Sequence, residues 1–114
     1  MSMKKFNFEV NDFDSGGRIA EITVGSKKMI TPNLFPVVHP FRNVISPKKL
    51  YDHFKAQAVF TNAYIIYKNE KRRDDVLKKG VHEHLGFPGI IATDSGGFQD
   101  YMYSDDIALK PEEI

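Results

Sequence analysis

Cysteine is absent from the 114 residues, which excludes disulfide bonds and any zinc site with cysteine ligands. Long apolar runs are also missing, because no stretch approaches the roughly 20 apolar residues of a membrane span. The lysines near the N-terminus are not followed by the apolar segment of a secretory signal. Charge of one sign is not in excess: 16 basic against 15 acidic side chains give a net charge of +1. We therefore expect a soluble, cytoplasmic protein without a membrane partner, and net charge neither demands nor excludes nucleic acid.

The hydrophobic fraction of 41% is sufficient for a folded core. Residues 6–10 and 18–24 alternate apolar and polar side chains, which predicts two half-buried strands with a turn over residues 11–17. Gly25 and Ser26 then predict a tight turn into a third strand over residues 27–31. The chain therefore opens with a small antiparallel hairpin or meander.

From residue 34 onward, apolar strands alternate with helices. The sequence predicts strands at 34–38, at 58–62 and at 90–93, the last of which ends at Asp94. Between the first two strands it predicts a helix that starts at Ser46-Pro47 and has Leu50 and Phe54 on its buried face. It further predicts a charged helix at 68–79, with Val76 and Leu77 inward and Gly80 as its stop, and a helix start at 110–114. This alternation indicates βα units on a parallel sheet. Three such strands cannot close a sheet, so we expect the beginning of a larger α/β barrel or doubly wound domain, with exposed apolar surface.

Residues 93–99, with the sequence TDSGGFQ, are the most informative stretch. Asp94 ends a predicted parallel strand, where α/β barrels hold their active sites, and it could transfer protons or attack an electrophilic carbon. Gly96 and Gly97 permit close backbone approach to a ligand, and Phe98 offers a flat face to a planar base. The alternative is a simple turn, in which the Asp and Ser side chains bond nearby backbone amides. A chymotrypsin-like nucleophile is excluded, because those proteases are all-β.

Several motifs together resemble the tRNA-guanine transglycosylases, in particular their archaeal form. The motifs fall in the family's order and are Gly17-Arg18, Thr31-Pro32, residues 35–42 (FPVVHPFR), residues 45–47 (ISP), residues 61–68 (TNAYIIYK) and residues 93–99 (TDSGGFQ). The resemblance runs from about Phe6 to the end of the chain. Motifs in correct order are far more specific than any one of them alone.

The resemblance implies a (β/α)8 TIM barrel, with residues 1–33 as an N-terminal hairpin region and residues 34–114 as the first βα units. It implies exchange of a guanine in the tRNA D-arm for the deazaguanine preQ0, on the way to archaeosine. In this reaction one carboxylate holds the ribose and another moves protons. Asp94 matches the general acid/base, with a nucleophile role less favoured. The remaining matches are Ser95 in the base pocket, Phe98 stacking on the base, Gly96 and Gly97 shaping the loop, and Asn62 contacting the ribose or orienting Asp94.

Other family features have no counterpart in these residues. The resemblance places the second catalytic aspartate, the zinc site of Cys and His ligands, and the RNA-binding domains further along, so no cofactor is expected in this chain. The implied partners are tRNA, the free base, and a homodimer or complementing chain. Three hypotheses follow: part of a transglycosylase that is inactive alone, a split-enzyme subunit, or a non-catalytic tRNA-binding relative.

Three lesser patterns carry a functional and a structural interpretation each. His82 and His84 alternate as metal ligands sometimes do, although one ring facing outward and one packed before Gly86 is the simpler interpretation. The basic residues of 68–79 could contact phosphates, but interspersed acids favour a solvated helix face with mixed ion pairs. The tyrosines could stack on RNA, with packing as the default.

Overall fold

The computed structural model describes residues 6–97. Phe98, Gln99 and the predicted helix start at 110–114 lie outside these residues. The elements follow one another as β1 (Phe6–Asp14), β2 (Gly17–Val24), β3 (Lys27–Thr31), α1 (Pro47–Asp52), β4 (Ala58–Asn62), α2 (Ala63–Lys68), α3 (Glu70–Lys79), α4 (Val81–Leu85) and β5 (Ile90–Asp94). Over residues 6–97, none of the helices combines the length and the apolarity that a bilayer crossing requires.

The predicted opening meander is confirmed, with β1, β2 and β3 antiparallel in that order. The first strand is longer than predicted, because it continues to Asp14 through the residues expected to form a turn. A register shift between Val10 and Asp12 keeps this polar stretch paired with β2. The turn itself is confined to Ser15 and Gly16, both at positive φ.

The parallel part of the fold contains the two strands predicted at 58–62 and 90–93. They form β4 and β5, paired in parallel from Ala58 opposite Ile90 onward. The predicted strand at 34–38 is reduced to one parallel bridge between Val37 and Phe60. Pro36 has no N–H to donate to a longer ladder. A closed barrel is not present in residues 6–97.

The helix at Ser46-Pro47 is confirmed, and the Ser46 hydroxyl accepts from the Lys49 N–H at 3.2 Å. The expectation that Leu50 and Phe54 share a buried face is wrong for Phe54, which is 63% exposed. The helix ends at Asp52, so Phe54 lies beyond it.

The charged helix predicted over residues 68–79 is confirmed as α3, which starts two residues later than predicted, at Glu70, whereas the preceding helix α2 was not predicted. Asn69 is extended and its side chain accepts from the Arg72 N–H at 3.1 Å, so it caps α3 and separates it from α2. Gly80 ends α3 as predicted, but Leu77 is exposed rather than inward while Val76 is half-buried. Helix α4 was not predicted, because its five residues are too short for a clear apolar period.

Strand β4 is covered on both faces, as a parallel strand should be. Val59 packs with Val38, Leu85 and Phe87 on one side. The neighbouring Ala58 packs with Met29 and Ile90 on the other, which joins the meander to the parallel strands. Apolar side chains also remain exposed, as predicted, chiefly on β1 and along residues 34–45: Phe6, Phe13, Leu34, Val37 and Val44.

Candidate active site at the ends of two parallel strands

The register of the parallel pair places Asn62 directly opposite Asp94. Neighbouring strands lie about 4.8 Å apart, so the two residues are adjacent at the carboxyl ends of β4 and β5. Asp94 is exposed and Asn62 is half-buried. A solvent-accessible carboxylate at this edge can exchange protons with a bound molecule.

The loop after Asp94 folds back on the start of α2. Gly96 is buried with φ of 75°, and a Cβ built on it would overlap the Cβ of Tyr64 and lie 3.1 Å from Asn62 Oδ1. Only glycine fits this approach without displacement. The carboxylate of Asp94 thus leaves the strand beside a loop whose path depends on Gly96.

The loop also contains the hydrogen bonds expected of a simple turn, in which the Asp94 and Ser95 side chains accept from nearby backbone amides. The Gly96 N–H donates to Asp94 Oδ1 at 3.5 Å, and the Gly97 N–H donates to Ser95 Oγ at 3.4 Å. Both are long for such bonds, so they hold the side chains weakly. The hydrogen bonds of a turn and an accessible carboxylate therefore occur together in this loop.

Asn62 has a local structural task. Its Oδ1 accepts from the Ile65 N–H at 3.0 Å, which caps α2 immediately after β4. This bond fixes the side chain at the strand end, beside Gly96. A contact with the ribose, or with Asp94, stays a prediction.

The other predicted site residues differ in what the structure says of them. Ser95 and Gly97 are exposed beside Asp94, as a ligand-facing loop requires. Phe98 lies outside the described residues. Sequence reasoning missed Tyr64 as the support of this loop and treated it as a packing residue; it is 5% exposed, which agrees with packing. Its position two residues after Asn62 was the available signal.

A second loop, residues 39–43, emerges at the same edge. Val38 is bonded to β4 through its N–H to Phe60 O at 2.8 Å and through its carbonyl to Thr61 Oγ1 at 3.0 Å. Asn43 closes the loop, because its side chain accepts from the His39 N–H and donates to the His39 carbonyl. This pair of bonds gives the loop a defined shape beside the candidate site.

His39 is expected to make folding sensitive to mild acid. Burial, and then the Arg42 charge, lower the pKa of His39 below its ordinary 6.5. Its Nδ1 accepts from the Phe41 N–H at 3.3 Å, a bond that protonation would break. The unfolded chain therefore binds the proton more readily. The stability that depends on neutral His39 is fully present above about pH 6.5, the ordinary pKa that applies to the unfolded chain. It is lost as the pH falls toward the lower pKa of His39 in the folded chain.

Urea unfolding between about pH 5 and pH 8 measures this effect. His39→Asn keeps an acceptor near Nδ1 without titrating, so we expect it to lose less stability on acidification than the parent chain. His53→Asn, at the exposed C-cap of α1, is the matched control and should follow the parent. Equal acid sensitivity of the parent and the His39 variant would refute the assignment.

The alternating histidines are both engaged in packing. His82 Nε2 lies 2.9 Å from the Gly89 carbonyl, and His84 lies between Asp75 and Pro40. The expectation that one ring faces outward is wrong, since both are at least half-buried. Within residues 6–97 no three His, Asp or Glu side chains are grouped to hold a metal ion. The zinc implied by the resemblance needs cysteine, which this chain lacks, so the residues present do not fit it.

Fold and site together define an α/β chain with a candidate acid/base carboxylate at the ends of parallel strands. A protein-family profile described as Queuine tRNA-ribosyltransferase matches residues 12–114. The chain belongs to this family of glycosyltransferases.

Curated relatives agree with this family assignment. The chain is 42% identical to the tRNA-guanine(15) transglycosylase of Haloarcula marismortui, over 95% of this chain and 22% of the relative. It is 41% identical to that of Nanoarchaeum equitans, over 96% of this chain and 26% of the relative. It is 44% identical to that of Methanosarcina mazei, over 94% of this chain and 21% of the relative. The chain thus spans about a quarter or less of the length of these relatives.

Proposed function

We propose that these residues form the N-terminal part of the catalytic domain of a tRNA-guanine transglycosylase. The observation that carries the proposal is the exposed carboxylate of Asp94, opposite Asn62 at the carboxyl ends of two parallel strands. The similarity to three archaeal transglycosylases over nearly the whole chain supports it. Family membership supports the class of reaction, and the exposed carboxylate at the strand ends is the proposed location of the reaction.

Asp94 acts in this proposal as the general acid and base of a base exchange. When the glycosidic bond to guanine breaks, the departing base takes up a proton and the ribose is held on a second carboxylate. When the new base attacks the ribose, it releases a proton. The two proton movements cancel over a cycle, so one carboxylate can serve both steps and return to its starting state. Ser95 and Phe98 would line the pocket for the bases, with Gly96 and Gly97 giving them room.

The finer substrate assignment follows the relatives and the sequence motifs. The relatives are named for guanine 15, and we propose the same guanine for this chain. The archaeal form of residues 35–42 and 61–68 supports preQ0 as the incoming base and archaeosine as the modification. We also propose that residues 1–33 precede a (β/α)8 barrel that residues 34–114 begin. The parallel pairing of β4 with β5, and of Val37 with Phe60, supports that geometry.

The proposed partners are tRNA, the free base, and a second copy or a complementing chain, as the family resemblance implies. A cytoplasmic location stays a prediction that a tRNA substrate supports. The alternatives of a split-enzyme subunit or a non-catalytic relative gain nothing from the comparisons, because the three relatives are named as transglycosylases.

A graft tests the proposal. Residues 6–114 replace the aligned segment of the Methanosarcina mazei enzyme, and incorporation of radiolabelled guanine into tRNA is measured. We expect the graft to exchange guanine and the isolated 114-residue chain to show no exchange, since the family resemblance places the second carboxylate in the part that the Methanosarcina mazei enzyme supplies. A folded graft that binds tRNA without exchange would refute the catalytic assignment. The unmodified Methanosarcina mazei enzyme is the positive control.

A further inference from the structure

Arg72 lies over the ring of Phe41, and Arg42 follows Phe41 in the loop that emerges at the edge of the candidate site. The guanidinium carbon of Arg72 is 4.9 Å from the Phe41 ring centroid. Both arginines are exposed, and Phe41 is half-buried. We call these three residues the Arg42–Arg72 surface. A cation over an aromatic face keeps its outward N–H groups available to an anion.

Several charges of α3 are paired, whereas Arg42 in the loop and Arg72 on α3 have no acidic partner among residues 6–97. Asp75 binds Lys79 at 3.2 Å and His84 at 2.6 Å, and Asp74 lies 4.0 Å from Arg73. Across residues 6–97, neither Arg42 nor Arg72 lies within ion-pair distance of a carboxylate. The expectation of a helix with mixed ion pairs therefore holds for the end of α3 but not for Arg72.

His84 anchors the loop that carries Phe41 and Arg42. Its side chain is 4% exposed, with Nδ1 at 2.6 Å from Asp75 Oδ2 and Nε2 at 2.9 Å from the Pro40 carbonyl. The hydrogen bonds from His84 and Lys79 keep the pKa of Asp75 below its ordinary value, so its carboxylate is an acceptor only. These two contacts tie the loop to α3. Asp75 is bound by Lys79 and His84, and it does not lie within ion-pair distance of Arg72.

We propose that the Arg42–Arg72 surface contacts the phosphate backbone of RNA. Arginine forks fit phosphate oxygens in pairs, and a nearby aromatic ring suits a nucleic acid. The loop leaves Val38 beside Thr61, one residue before Asn62, so it emerges at the strand ends that carry Asn62 and Asp94. Taking that RNA to be tRNA rests on the proposed function.

Fluorescence anisotropy of the full chain with an unmodified tRNA transcript, over a range of salt concentrations, tests this surface. Each phosphate contact contributes about one unit to the slope of log affinity against log salt. Arg42→Gln/Arg72→Gln should therefore lower the slope by about two and weaken binding about tenfold or more. Lys49→Gln/Lys78→Gln removes the same charge from exposed positions on α1 and α3 and should leave the slope close to that of the parent.

Two further comparisons complete the test. Arg42→Lys/Arg72→Lys keeps the charges and should restore most of the slope. Should the double glutamine variant not unfold cooperatively, Arg42→Gln alone must lower the slope by about one. Equal slopes for the glutamine variant and the lysine control, or equal competition by poly-L-glutamate, would overturn the proposal. Exchange by the graft is scored separately, so loss of exchange with intact binding rejects only the catalytic assignment.

Discussion

Replacing Asp94 by asparagine in the Methanosarcina mazei graft is expected to reduce guanine exchange about 10²- to 10⁴-fold. Asparagine has nearly the same shape as aspartate, but it can neither give a proton to the departing base nor take one from the incoming base. Because Asp94 is exposed and its only bond in the described loop is a long one from Gly96, stability should change by less than about 0.5 kcal/mol. Incorporation of radiolabelled guanine gives the rate, and urea unfolding gives the stability.

The control for this variant is Asp52→Asn, which removes an exposed carboxylate from α1 and should keep full activity. A second measurement separates the acid/base role proposed for Asp94 from the less favoured nucleophile role. Mass mapping of an RNA adduct trapped by denaturation identifies the residue that holds the ribose. An adduct on another carboxylate supports the acid/base role. An adduct on Asp94 would make it the nucleophile, and full activity of the asparagine variant would remove it from the reaction.

Local sequence signals predicted the parts of the fold that local chemistry determines. Strands β4 and β5 lie where short apolar runs were found, because four of the five residues of each strand are buried or half-buried. Ser46 followed by proline is a strong helix start, and it formed one. These signals act within a few residues, so no tertiary contact was needed to recognise them.

The predictions that were incorrect concern segments whose structure depends on a tertiary contact or on a single polar residue. Asn69 moves the start of the predicted charged helix from Lys68 to Glu70, because its side chain caps α3 in place of a helix that continues from α2. The ladder at residues 11–14 depends on pairing with β2 across a bulge. Pairing of this kind is absent from a one-dimensional pattern.

For the candidate site, the sequence could name the residues but not their arrangement. Asp94 followed from its place after an apolar strand and before two glycines. The register that puts Asn62 opposite it is a property of the paired strands. The support of Gly96 by Tyr64, and the anchoring of the 39–43 loop by His84, join segments 32 and 44 residues apart. Such contacts require the folded chain.

Gly96→Ala is expected to be the most damaging single-methyl change near the site. A Cβ there would overlap Tyr64 Cβ, and the residue has φ of 75°, where an alanine is strained. The left-handed backbone costs about 1–2 kcal/mol, and forcing a methyl group into occupied space costs about 1–3 kcal/mol. The free energy of unfolding should therefore fall by about 2–5 kcal/mol, a large share for a small domain. Urea unfolding of the full chain measures it.

Two other glycines separate the contributions to that loss. Gly16 has φ of 88° with nothing within 4 Å of a built Cβ, so Gly16→Ala should show the backbone cost alone. A Cβ at Gly97 meets only Ser95 Oγ at 3.7 Å, an ordinary contact, so Gly97→Ala should cost little. If Gly96→Ala costs no more than Gly16→Ala, the loop is not held against Tyr64. In the graft, exchange should then fall with Gly96→Ala and persist with Gly97→Ala, because only the first displaces the loop that carries Asp94.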